Sequence, residues 1–93
     1  MILLSQDAAL DIERVREFLD INNPDAAKRA LSVIFAALEK LQVFPELGRI
    51  TADAEIRQIV IRFGATGYVV RYSVLHTGDV LVIRVWHGRE ART

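Results

Sequence analysis

The sequence has no cysteine, and only two prolines, two lysines and two histidines. Without cysteine there is no disulfide framework and no thiolate metal site. His76 and His87 fall at opposite ends of neighbouring predicted strands, so a two-histidine metal site within the chain is not expected. No apolar run approaches the roughly 20 residues that cross a bilayer. The N-terminus lacks a basic segment followed by an apolar core, which leaves the cytoplasm as the expected compartment. There is no glycine-rich phosphate loop, and no serine has a histidine–acid escort. The carboxylate pairs Asp7/Asp11 and Glu13/Glu17 are spaced by four and read as a solvated helix face. Neither a metal nor a cofactor is expected.

What the sequence does have is apolar content. Hydrophobic residues make up 52% of the 93 positions, and mean hydropathy is +0.22. A chain of this length forms one domain, residues 1–93, that buries roughly 60–65% of the surface its unfolded form exposes. Apolar content beyond what so small a core needs points to a surface covered by a partner. Net charge is zero but unevenly spread: residues 1–54 hold nine acids and six bases, whereas residues 55–93 hold three acids and six bases, all arginine. Arginine is the base whose planar fork suits carboxylates and phosphates.

Met1 to Leu4 predicts a short edge strand. Ser5 caps a helix in which Ala8, Ile12, Val15 and Leu19 recur at spacings of four, three and four. Asp11, Arg14, Arg16 and Glu17 fall elsewhere on the wheel and are expected to stay wet. Asn22-Asn23-Pro24 ends that helix, and Asp25 is expected to cap a second one. There Ala27, Ala30, Ile34, Leu38 and Leu41 form the buried stripe, widened by Leu31 and Phe35. Phe44-Pro45-Glu46-Leu47-Gly48-Arg49 breaks the helical pattern as a tight turn, with Phe44 expected to anchor it to the core. Three strands of period two follow: Ile56–Phe63, Tyr68–Leu75 and Val80–Trp86, joined at Gly64–Gly67 and Thr77–Asp79. The order is β-α-α-β-β-β, an α+β domain with a helical hairpin on a small antiparallel sheet.

Chemistry concentrates at the end of the last strand, where Leu81–Trp86 stops in His87-Gly88-Arg89. Cleavage of a phosphodiester by 2′-OH attack needs a proton acceptor, a proton donor and cations around the phosphorane. His87 is one proton-transfer group, and Arg89 and Arg57 are candidate cations; a second proton-transfer group is not visible. The other reading is a terminal hydrogen-bonding pair that orders the tail.

These residues also carry a resemblance. Ala9-Leu10-Asp11-Ile12, Pro24 with Ala26-Ala27, the Phe44–Arg49 turn, Arg57, Gly67-Tyr68-Val69-Val70-Arg71-Tyr72 and Val85-Trp86-His87-Gly88-Arg89 stand in the order and spacing of one family. The chain resembles the ParE/RelE superfamily of toxins from bacterial toxin–antitoxin systems, and within it the ParE (plasmid-stabilisation) branch. The resemblance implies a cognate antitoxin that covers apolar grooves beside the helices and the sheet edge, and Leu31, Ile34, Phe35, Leu38, Arg71 and Tyr72 are the expected contacts. It implies one of two targets, DNA gyrase for ParE-type toxins or mRNA in the ribosomal A site for RelE-type ones. Target contacts are expected at Arg57, Trp86, His87, Arg89 and Arg92.

Charge and chemistry separate the two targets. A ribosome-dependent nuclease docks among phosphates and gains affinity from each one it neutralises, whereas this chain is neutral. RelE-like enzymes commonly carry a tyrosine after the last-strand arginine; here the tail is Glu90-Ala91-Arg92-Thr93. The expectation is therefore a gyrase poison. The alternatives are an mRNA endoribonuclease using His87, Arg89 and Arg57, and a degenerate toxin that only binds its antitoxin and represses the operon.

Overall fold

The computed structural model describes residues 1–88. Its elements are β1 (Ile2–Leu4), α1 (Gln6–Asn22), α2 (Pro24–Val43), β2 (Arg49–Ile50), β3 (Arg57–Ile61), β4 (Tyr68–Val74) and β5 (Val80–His87). The two helices lie on a five-stranded sheet of order β1-β5-β4-β3-β2. Strands β3, β4 and β5 pair antiparallel, as the two hairpin turns predict, and the two-residue β2, which the sequence pattern does not predict, adds antiparallel to the start of β3. β1 joins β5 in parallel, Ile2 opposite Val80, which makes the sheet mixed. β1, the first strand in the chain, thus lies beside β5, the fifth, at the edge of the sheet.

Local chemistry explains the helix ends. The Ser5 hydroxyl accepts from the Ala8 N–H at 3.0 Å and donates to the Ile83 carbonyl at 2.8 Å, so one side chain starts α1 and ties it to β5. The second cap differs from expectation. Asn23, not Asp25, accepts from the Ala26 N–H, because Pro24 takes the first helical position, where a missing N–H costs nothing. Asp25 lies inside the first turn, where its charge favours the helix N-terminus.

The stripes Ala8, Ile12, Val15 and Ala27, Ala30, Ile34, Leu38, Leu41 are buried, against Ile61, Tyr68, Val70, Tyr72, Val80, Val82 and Val85 of the sheet. In β5 the alternation slips. Arg71 faces Arg84 and Tyr72 faces Val82, so Ile83 is the extra residue of a bulge. Two expectations fail here. Phe44 is exposed rather than anchored; the turn is held instead by Tyr72 from below. Asp11 is 2% exposed rather than wet. Among the described residues no helix is long and apolar enough to cross a membrane.

Candidate functional site at the turn and the last strand

The buried Asp11 is the hinge point between helices and sheet. Its carboxylate accepts from Arg84 Nε at 2.8 Å and Nη2 at 3.1 Å, from the Val85 N–H at 2.9 Å, and from Arg14 Nη1 at 3.0 Å. The bulge at Ile83 makes this possible by taking Arg84 out of the regular alternation and turning the Val85 N–H to the helix. Burial pushes the carboxyl up. The hydrogen bonds from Arg84 and Val85, the Arg84 charge and the bond from Arg14 together outweigh it and hold Asp11 below the ordinary carboxylate value. Sequence periodicity placed Asp11 off the stripe, although it lies three residues after Ala8 and four before Val15. A lone carboxylate at those spacings was the available signal.

A second polar knot fixes the Phe44–Arg49 turn. The Tyr72 hydroxyl, at the centre of the core, donates to the Pro45 carbonyl at 2.7 Å and accepts from the Gly48 N–H at 2.8 Å. Burial raises its pKa, against the Gly48 hydrogen bond and the Arg57 charge, so it stays a donor. Arg57 closes the knot from the sheet side: Nη1 donates to the carbonyls of Gly48 at 2.8 Å and Glu46 at 3.3 Å. A guanidinium at the start of β3 thus clamps a turn eleven residues upstream.

At the other end of the sheet, His87 Nε2 lies 2.8 Å from the Thr66 hydroxyl. Its ring meets Tyr68 edge-on at 5.5 Å, and the following Gly88 N–H donates to the Gly67 carbonyl. Burial raises the pKa of Tyr68, which keeps that phenol neutral. Trp86 is on the opposite face of the sheet, with the Arg71 guanidinium 5.0 Å from its ring centroid; Arg71 Nε also donates to the Gln58 side chain at 3.0 Å. Arg71 is thereby held in place by a cation–π contact and an amide.

Of the candidate nuclease residues, Arg57 and His87 are not brought together. Arg57 is opposite Tyr72 and His87 is opposite Tyr68 on β4. Four residues along the strand and two strands across separate them by about 13 Å and about 10 Å respectively. Arg89 and Arg92 lie outside the described residues. The expected antitoxin contacts divide as well. Ile34, Leu38 and Tyr72 are fully buried, so the surface there is made by Leu31, half-buried, and Phe35, 44% exposed. On the other flank of α2 a groove runs between that helix and β3, lined by Ala37, Lys40, Leu47, Arg49 and the Gln58–Ile61 segment. β2 pairs with β3 only at Arg57 and Gln58. Among the described residues no strand lies along the rest of that edge, where Val60 is 65% exposed. No group of three or more potential metal ligands occurs among the described residues.

The family model described as the ParE toxin of type II toxin–antitoxin systems, parDE, matches residues 2–92. The chain belongs to the ParE toxin family. Its similarity extends to Toxin RelE1 of Caulobacter vibrioides, 38% identical over 91 residues, covering 98% of this chain and 96% of that one. Toxin RelE3 of the same organism is 34% identical over 89 residues, 96% and 95% of the two chains. A solved structure titled "Chromosomal ParDE TA system from P. aeruginosa" shares the fold, with a TM-score of 0.76 over 92% of each chain at 16% identity. This ParE-family toxin is thus a member of the wider ParE/RelE group of type II toxins.

Proposed function

We propose that this toxin is neutralised by an antitoxin segment laid over α2 and the uncovered half of β3, and that once unmasked it poisons DNA gyrase rather than cutting RNA. The observation that carries the second part is the placement of Arg57. Its guanidinium is bonded to two turn carbonyls, on the order of 15 Å from His87 by strand geometry. A phosphorane needs its acid, base and cations within hydrogen-bond reach of one phosphate. Arg57 and His87 do not meet that demand, and a neutral chain gains little from ribosomal phosphates. The relatives named RelE keep a second reading in view: His87 at a strand tip acting with residues beyond Gly88 on ribosome-bound mRNA.

Expression of the toxin without its antitoxin separates these readings. Gyrase poisoning gives broken chromosomal DNA and an SOS response while messages stay intact. Cuts in translated mRNA that disappear in His87→Ala and Arg89→Ala would overturn it. Absence of any growth defect would instead leave a degenerate toxin that acts only in antitoxin binding.

The groove supports the first part. A half-open strand edge accepts an added strand through main-chain hydrogen bonds. Across the helix, Leu31 and Phe35 offer apolar contacts on the opposite flank of α2, and Lys40 and Arg49 in the groove favour an acidic segment. Leu31→Glu is expected to weaken the antitoxin complex by ten-fold or more, from lost apolar burial and a charge at the interface. Titration calorimetry checks this. Unchanged affinity with an intact circular dichroism spectrum would remove α2 from the interface.

A further inference from the structure

α1 carries a second stripe that the core does not use. Leu10, Arg14, Glu17 and Ile21 recur at four, three and four, the same spacings as the buried set, but on the outward side. Leu10 is 60% exposed, Ile21 85%, and the flanking Phe18 66%. One side of the stripe is bordered by Arg16, paired with both Glu13 and Asp20 along the helix. Those charges are engaged along the helix itself. Arg14 donates from Nη1 to Asp11, and its side chain is 48% exposed at the rim of the stripe. None of these residues lines the groove assigned to the antitoxin.

The spacings are those of a helix–helix seam. They also have a symmetry. Leu10 and Ile21 are equidistant from the midpoint between residues 15 and 16, and so are Arg14 and Glu17. Two copies of α1 packed antiparallel about a two-fold axis at that midpoint place each Leu10 against the partner's Ile21, and each Arg14 against the partner's Glu17. Apolar meets apolar at both ends, and opposite charges meet at the centre, twice each. A two-fold interface must be self-complementary in this way.

We infer that the outward face of α1 is a homodimerisation surface, occupied by α1 of a second copy of this chain. Seventeen residues of helix give a contact about 25 Å long. That is at the small end for a specific interface, so the dimer is reversible and depends on concentration.

The absence of cysteine supplies the test. Two full-length variants, Leu10→Cys and Ile21→Cys, are mixed under mild oxidation. A disulfide needs Cβ atoms roughly 4 Å apart. The mixture is expected to cross-link, and each variant alone is not, because the antiparallel register holds two copies of position 10, or of position 21, about 16 Å apart. Sedimentation of the unmodified chain up to about 100 µM reads the association directly. Ile21→Glu is expected to raise the dissociation constant ten-fold or more, and adding Leu10→Lys to recover part of that loss, since 10 and 21 oppose each other. Both positions are exposed, and circular dichroism confirms folding of each variant. A chain monomeric throughout that range, a dimer whose cross-links follow another register, or an Ile21 covered by the antitoxin on a monomeric toxin would each overturn the inference.

Discussion

Replacing Asp11 by alanine is expected to destabilise the fold by about 3 kcal/mol, read as the shift in a urea unfolding curve. The substitution strips the Val85 N–H of its acceptor and removes the carboxylate that takes two hydrogen bonds from Arg84. Removal of one partner from a buried pair commonly costs about 3–5 kcal/mol; the lower end applies because the Arg84 side chain is 35% exposed and rehydrates. A surface ion pair gives far less. Asp11→Asn keeps the shape and removes the charge, so it isolates the electrostatic part. The pH dependence has a definite sign. A carboxyl held low by folding contributes fully above its unfolded value near 4, and that contribution is lost as the pH falls through the lower folded value. The gap between wild type and Asp11→Asn therefore narrows below about pH 4. A loss under about 1 kcal/mol at pH 7 would mean that the bulge and the helix cap hold α1 on β5 without the carboxylate.

Gly48→Ala is expected to be comparably damaging, at about 3 kcal/mol. The reason is space rather than backbone conformation. A Cβ on residue 48 would come 2.6 Å from the Tyr72 hydroxyl, 2.8 Å from Cε1 of its ring and 3.0 Å from the Gln58 carbonyl. Tyr72 is fully buried and has nowhere to move. Backing the ring away breaks both of its hydrogen bonds, to Pro45 and from Gly48. Tyr72→Phe alone costs about 1–2 kcal/mol, mainly from the stranded Gly48 N–H. Combined, the two substitutions should cost less than their sum, since each damages the same contact. Strict additivity would show that the turn does not depend on this hydroxyl.

These two knots mark where the sequence was readable and where it was not. The helix stripes could be read residue by residue because apolar periodicity reports one face of one element. Ser5 was readable because capping is local. Asp11 was not, since the partners that bury it, Arg84 and Val85, are 73 and 74 residues away and reach it through a bulge that no local pattern announces. Asn23 took the cap from Asp25 because Pro24 shifted the start of α2 by two positions. In the turn, the Pro-x-x-Gly spacing was visible, but its cause was a tyrosine 24 residues beyond Gly48. Ile34 and Leu38 are buried as their place in the stripe predicts, and the residues expected to widen that stripe, Leu31 and Phe35, form its outer edge. Arg57 was read as a candidate for chemistry, and the fold uses it to hold carbonyls.

The central claim is that this ParE-family toxin acts on gyrase and has no nuclease centre built from Arg57 and His87. The most direct measurement adds the purified chain, freed of antitoxin, to gyrase with ATP and relaxed plasmid. It is expected to inhibit supercoiling and to accumulate linear plasmid covalently attached to gyrase. Gyrase left unaffected, together with cleavage of mRNA on programmed ribosomes by the same preparation, would contradict it.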